Sequence, residues 1–315
     1  MIPSRSDIEA ARDRLRGVAV RTPLVRWHAG PGEVWLKLET LQPIGSFKIR
    51  GAGNAIGAAG PAAVRNGVVT ASAGNMAQGV AWCARTLGVP CTVVVPDHAP
   101  ATKLAAIERL GGRIIKVPFD RWWRVLLERR FEGVDGLFVH PVSDSAVMAG
   151  NGTTGLEILE DLPDVETILV PFGGGGLSCG IAAAVASAGS RVRVIAVEPE
   201  SAAPLNASLR AGTPTAIEYR PTFIDGAGGK SVLPEMWPLA RTLLAGATTV
   251  SVEETAEAVR LLAERVRVIA EGAGALALAA ARSGRFAGGK VVAVVSGGNI
   301  DPGRLIQILE GGVPA

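Results

Sequence analysis

The sequence predicts an α/β protein built on parallel sheets, and three observations carry that expectation. Short β-rich runs alternate with helix-length segments from residue 67 to residue 298. The runs are continuously apolar, as in strands covered on both faces. Glycines cluster where strands give way to helices. In chain order, GVVTAS (67–72) precedes the helical NMAQGVAWCARTLG, and CTVVVP (91–96) precedes a helical pattern through Leu110. RIIKV (113–117) precedes RWWRVLLERRF, and LFVH (137–140) closes a first series. The second series holds TILVPF (167–172), the helix GLSCGIAAAVASAG and RVIAVE (193–198). The Pro- and Gly-rich segment 199–247 has weak periodicity and reads as an ordered loop system over a site. TTVSV (248–252), the helices EETAEAVRLLAERVRVI and EGAGALALAAARSG, and VVAVVSGG (291–298) complete the series.

Composition narrows the function classes. The 315 residues suffice for about two domains, and 48% are hydrophobic against 19% charged, which excludes a disordered chain. The 40 glycines have no three-residue period, which excludes collagen. The formal net charge is +3. The charges are interspersed and aromatics are few, so no nucleic-acid partner is expected. Cys83, Cys91 and Cys179 lack CxxC spacing, which argues against a zinc site or disulfide framework and for a reducing cytoplasm. The charged N-terminus lacks a signal peptide's apolar core, and no run approaches 18 apolar residues, so no membrane partner is expected.

In open α/β sheets, ligands bind beyond the carboxyl ends of strands. Gly173, Gly174, Gly175, Gly176 and Leu177 follow TILVPF and open a helix. Successive glycines let N–H groups converge on an anion, and the helix N-terminus adds its positive end, so this loop reads as a phosphate cradle. Its spacing is not GxGxxG, which disfavours a dinucleotide fold. DGAGGKS (225–231) resembles a Walker A loop, but Ile224 replaces its first glycine, and it reads as a decoy. Ser72, Ala73, Gly74 and Asn75 follow another strand and suit either a carboxylate site or a plain helix cap. Ser296 follows VVAVV and suits either a cleft or a turn. Lys48, in GSFKIRGA, is either a solvated helix residue or, if buried in a cleft, an amine of lowered pKa able to form a Schiff base.

Together these motifs resemble the serine/threonine dehydratase family of fold-type-II pyridoxal-phosphate (PLP) enzymes. The resemblance runs in family order through KLETLQPIGSFKIRGA (37–52), TASAGNMAQGVA (70–81), HPVSDSAVMAGNGTTGLEILED (140–161), VPFGGGGLSCGIA (170–182), AVEPE (196–200) and VVSGGNID (294–301). It implies a tryptophan synthase β-like architecture, two open-sheet α/β domains with the cofactor in the cleft between them. The implied large domain is 1–42 with 144–315, and the small one is 43–143. Lys48 would carry PLP and act as base at Cα, with Phe47 beside the ring. Gly173 to Leu177 would hold the phosphate, Asn75 the 3′ oxygen, and Ser296 the pyridine nitrogen. Ser72, Ala73, Gly74, Asn75 and Met76 would bound the substrate. The implied reaction is β-elimination from a small β-hydroxy amino acid of threonine or serine type, in a cytoplasmic homo-oligomer, dimer or tetramer.

Departures from the family pattern matter. Ala73 stands where related serine racemases place a second serine, so little racemisation is expected. Met76, Val142, Asn151 and Glu271 replace commoner residues. Glu198 and Ala202 match a cation site of the family, but Pro204 replaces its aspartate, and no metal is assigned. No regulatory domain is expected after VVSGGNID. Trp122 and Trp123 read either as core and interface or as walls of a wider apolar site, suited to phenylserine. A hydroxyaspartate would need a cationic partner that the motifs do not supply. A racemase, a cysteine-synthase-like enzyme and a non-catalytic phosphate binder are the other readings.

Overall fold

The computed structural model describes residues 1–30 and 32–314. Helix α1 (Arg5–Arg14) is opened by a capping box on Ser4 and is followed by strands β1 (Leu24–Trp27) and β2 (Glu33–Leu38). The chain then builds α2 (Lys48–Val64), β3 (Val68–Ala71), α3 (Asn75–Leu87), β4 (Cys91–Pro96) and α4 (Ala101–Arg109). β5 (Arg113–Val117), α5 (Phe119–Glu128) and β6 (Leu137–Phe138) follow. α6 (Ser145–Asp161) leads to β7 (Thr167–Pro171), α7 (Gly176–Ser187), β8 (Arg193–Pro199), α8 (Pro204–Ala211) and α9 (Trp237–Leu243). The last elements are β9 (Gly246–Val250), α10 (Val252–Leu261), α11 (Gly272–Arg282), β10 (Lys290–Val295) and α12 (Pro302–Leu309).

Two sheets result. One has the order β1-β2-β10-β7-β8-β9, parallel except for β1. The other has the order β5-β4-β3-β6 and is wholly parallel. Apolar clusters cover both faces of each sheet, which explains the continuous apolar strands. α11 is buried along its length, consistent with its all-round apolar sequence.

Each sheet reverses its winding once. β8 and β9 extend to one side of β7, and β10 inserts on the other. β4 and β5 extend to one side of β3, and β6 lies on the other. Loops leaving neighbouring strands at such a reversal diverge and open a crevice at their carboxyl ends. The two crevices face one another, and that places the cavity described below.

Several sequence expectations are corrected. β1 and β2 precede the series of strands read from the sequence, yet they extend the larger sheet. The segment 199–247 is not only loops, because α8 and α9 lie within it. The expected strand 248–252 stops at Val250, because Ser251 and Glu254 form a capping box that starts α10. That helix does not run to Ile269. Its regular part stops at Leu261, a π-turn follows, and Arg267 adopts φ of 63°. The run LFVH is a strand only at Leu137 and Phe138. All three cysteines are free and buried. No helix among the described residues is long and apolar enough to cross a membrane.

Candidate active site

A cavity of about 380 Å³ lies between the two reversal points. Its walls come from the carboxyl ends of β3, β4, β5, β6, β7 and β10 and from the first residues of α2. Phe47, Lys48, Ser72 to Met76, Gly173 to Leu177 and Ser296 all line it. Every site residue expected from sequence is therefore in one place.

Lys48 opens α2, and its side chain is part-buried at the cavity, with Nζ donating to the Pro141 carbonyl at 2.8 Å. The Phe47 ring lies under the amine, 5.2 Å away. Burial lowers the Lys48 amine to about 8, and Glu271 opposes the shift by attraction. The turn carrying Pro141 is held by His140, whose Nδ1 accepts from the Val142 and Ser143 amides at 3.2 and 2.9 Å. Burial, and then Arg129, lowers His140 to about 4, so it is a neutral acceptor at physiological pH.

The glycine loop is shaped by close approaches. Gly175 has φ of 94°, and an added Cβ would lie 3.0 Å from the Phe172 ring. A Cβ on Gly174 would lie 2.6 Å from the Val142 methyls, and one on Gly176 would lie 2.9 Å from the Val142 carbonyl oxygen. No side chain caps α7, so its first N–H groups stay free for an anion. Asn151 props the loop from behind, donating to the Gly176 carbonyl at 3.2 Å.

Two segments that had alternative readings both line the cavity. No side chain caps α3; Gly74 is its N-cap and the Ser72 hydroxyl accepts only from the Gly74 amide, at 3.2 Å. Ser296 is buried at the end of β10, and its carbonyl accepts from the Phe47 amide at 3.0 Å. Asn75 donates to Glu271 Oε1 and accepts from the Asn299 side chain, both at 2.7 Å. Burial, and then repulsion from Asp225, raises Glu271 to about 7.

Sequence reasoning missed several lining residues. Asp225 and Gly226 belong to the segment dismissed as a decoy, and they form part of the wall. The Gly228 amide ties that segment to the end of β7 by donating to the Phe172 carbonyl at 2.9 Å. Lys103 also lines the cavity and pairs with Asp225 at 2.8 Å. Its position after β4, beyond the carboxyl end of a strand, was the available signal. The tandem tryptophans divide: Trp122 lines the cavity, and Trp123 is 38% exposed outside it. At the position of the family's cation site, where no metal was assigned, Glu198 accepts from the Leu205 and Asn206 amides of α8 at 2.9 and 2.8 Å. No cluster of metal-ligating side chains occurs among the described residues.

A part-buried amine, an uncapped helix N-terminus behind a glycine cradle, and a neutral hydroxyl at a strand end fit a phosphorylated pyridine aldehyde. They define a cofactor-dependent α/β enzyme with its site between two sheets. The chain belongs to the family of pyridoxal-phosphate dependent enzymes, whose description matches residues 15–297. It is 42% identical over 314 residues to the L-threonine ammonia-lyase of Thermotoga maritima, covering 98% of this chain and 78% of that protein. It is 38% identical over 323 residues to the L-threonine dehydratase catabolic TdcB of Staphylococcus aureus, covering 99% and 93%. Among solved structures, maize serine racemase superposes with a TM-score of 0.87 at 32% identity, covering 99% of this chain and 98% of that one. The resemblance to serine/threonine dehydratases and the fold-type-II architecture read from the sequence both hold.

Proposed function

We propose that the protein is a PLP-dependent ammonia-lyase that converts a β-hydroxy amino acid of the threonine or serine type to a 2-oxo acid and ammonia. The observation that carries this is Lys48 lining the cavity, its amine lowered to about 8 by desolvation and held by one carbonyl. The relatives named threonine ammonia-lyase and threonine dehydratase support the same reading.

PLP, when bound, supplies the electron sink that makes the α-proton removable. The residues supply the rest. Gly173 to Leu177 orient the phosphate end with backbone N–H groups. Ser296 offers the ring nitrogen a neutral partner, which favours loss of a β-substituent over longer-lived carbanion chemistry. Lys48 Nζ takes the α-proton, because burial makes its neutral form accessible near neutral pH. The Ser72 to Asn75 turn, with a free helix N-terminus, receives the substrate carboxylate. The α-proton and β-hydroxide leave as one water, and one water returns when the imine is hydrolysed. The net change is R–CHOH–CH(NH3+)–COO− to R–CH2–CO–COO− plus NH4+.

Ala73 offers no proton on its face of the cavity, so elimination exceeds racemisation. We also propose that residues 43–143 act as the smaller unit, that the rest forms the larger, and that the enzyme works as a cytoplasmic homo-oligomer. The test is ammonia and 2-oxo acid release from L-threonine by the PLP-loaded protein. Lys48→Ala is expected to lower kcat at least about a thousandfold with the circular dichroism spectrum retained. Retained elimination in that variant overturns the assignment of the base.

A further inference from the structure

We propose that the cavity selects a β-hydroxy amino acid whose Cβ carries an aromatic group, and that Trp122 and Phe119 are the residues that select it. This rests on the elimination reading above and names the substrate class of that same site.

α5 begins directly beyond the carboxyl end of β5, after Pro118, so its first turn faces the cavity. Phe119 and Trp122 both line it. Their rings form a tilted pair with centroids 5.6 Å apart, and His98 continues the row 6.0 Å from Phe119. Val125 and Leu126, one turn further along the same face of α5 as Trp122, anchor it to Ala71, Val94 and Val117 of the small sheet, and Trp122 packs against that cluster. The aromatic wall is thus carried by a helix fixed to the sheet.

Phe119 is 48% exposed, and with Trp122 it offers an apolar aromatic surface to the cavity. An aromatic ring placed on this wall covers Phe119 and packs against the tilted pair of rings. The methyl group of threonine is too small to cover that surface.

The rival is a substrate with a second carboxylate, and the cation for it is present in Lys103. That amine is already 2.8 Å from Asp225, and Asp225 also repels Glu271. A further carboxylate would meet two carboxyl groups competing for one amine. The geometry therefore favours the aromatic substituent.

The experiment uses the PLP-loaded enzyme and measures kcat/KM by 2-oxo acid release from L-threonine, L-threo-3-phenylserine and threo-3-hydroxyaspartate. Burial of part of a ring corresponds to a preference of about tenfold for phenylserine over threonine. Trp122→Leu is expected to lower that ratio about tenfold, and Trp122→Phe to keep most of it. In the threonine assay, L-phenylalanine, which has no β-hydroxyl to lose, is expected to inhibit more tightly than L-2-aminobutyrate by a similar factor. The inhibitor comparison uses only the wild-type enzyme, so it decides even where a Trp122 variant fails to fold. A wild-type preference for threonine, a ratio unmoved by Trp122→Leu, or equal inhibition overturns the aromatic assignment and leaves the lyase reading standing. A preference for hydroxyaspartate overturns it in favour of Lys103. Failure to eliminate from any of the three substrates overturns both readings.

Discussion

The two sides of the cavity are built from different materials. The side that holds Lys48 and the glycine loop is made of backbone groups and fully paired buried charges. Two residues after Lys48, the Arg50 guanidinium is buried between Glu39 and Glu157 and bonds to each through two nitrogens at 2.7 to 2.8 Å. Lys37 joins them 2.6 Å from Glu157. Burial opposes ionisation of Glu39, yet Arg50 holds its carboxyl below the usual range. The opposite side has single contacts between part-exposed groups, namely Lys103 with Asp225 and Arg304 with Asp225. Its aromatic wall is also part-exposed. The difference teaches a division of labour. The chemistry rests on geometry that resists substitution, and selectivity rests on side chains that can be exchanged at small cost to the fold.

The comparison breaks most readily at Arg50. Arg50→Met leaves Glu39 and Glu157 buried with only Lys37 between them. Removing one partner of a buried ion pair costs about 3–5 kcal/mol, and urea denaturation at pH 7 measures it. A cost below about 1 kcal/mol would place this network in the same class as the exposed pairs. The next effect is at the cradle. Gly175→Ala forces a Cβ into φ of 94° against the Phe172 ring. Left-handed backbone costs an L-residue about 1–2 kcal/mol, so PLP affinity is expected to fall about tenfold as the loop shifts. Spectrophotometric PLP titration tests this, and unchanged affinity would mean that the backbone cradle is not the anchor.

The same division governs what the sequence made legible. The cradle and Ser296 stand directly after apolar runs, so local order in the chain was enough to single them out, whereas the role of Lys48 came only from the family resemblance carried by GSFKIRGA. Asp225 and Gly226 escaped notice because they belong to no strand-to-helix junction, the same reason 225–231 is no Walker A loop. They reach the cavity only because the Gly228 amide bonds to the Phe172 carbonyl, a contact between distant segments. β1 and β2 were missed for a related reason. The sheet neighbour β10 pairs with β2 from more than 250 residues away, Val291 opposite Val34. Periodicity reports which way a residue faces, but not what completes its sheet. Trp122 and Trp123 are adjacent in sequence, yet only Trp122 lines the cavity and Trp123 points away from it, a division no local pattern reports. The partners of Arg50 lie on the turn after β2 and on α6, beyond the reach of any local pattern.

The smallest effect expected is at Asp225, and there the sign is the informative quantity. Glu271 has its folded value at about 7 against an ordinary 4.5, from burial first and Asp225 next. A carboxyl with a raised folded value contributes stability that is present below its unfolded value and lost as pH rises through about 7. Removing the charge of Asp225 lowers the folded value of Glu271, so less stability is lost on that rise. Lys103 is also freed to face Glu271, and Lys48 and Asn75 already do. At pH 5.5, then, Asp225→Asn loses only its pairs with Lys103 and Arg304, which cost up to about 1 kcal/mol for groups this exposed. At pH 8 that penalty is expected to shrink or reverse, because relief of the charged Glu271 offsets it. Denaturation of both proteins at the two pH values gives the difference directly. A penalty that grows with pH would show that Asp225 stabilises the charged form of Glu271. It would then belong with the buried, paired side of the cavity rather than the exchangeable one.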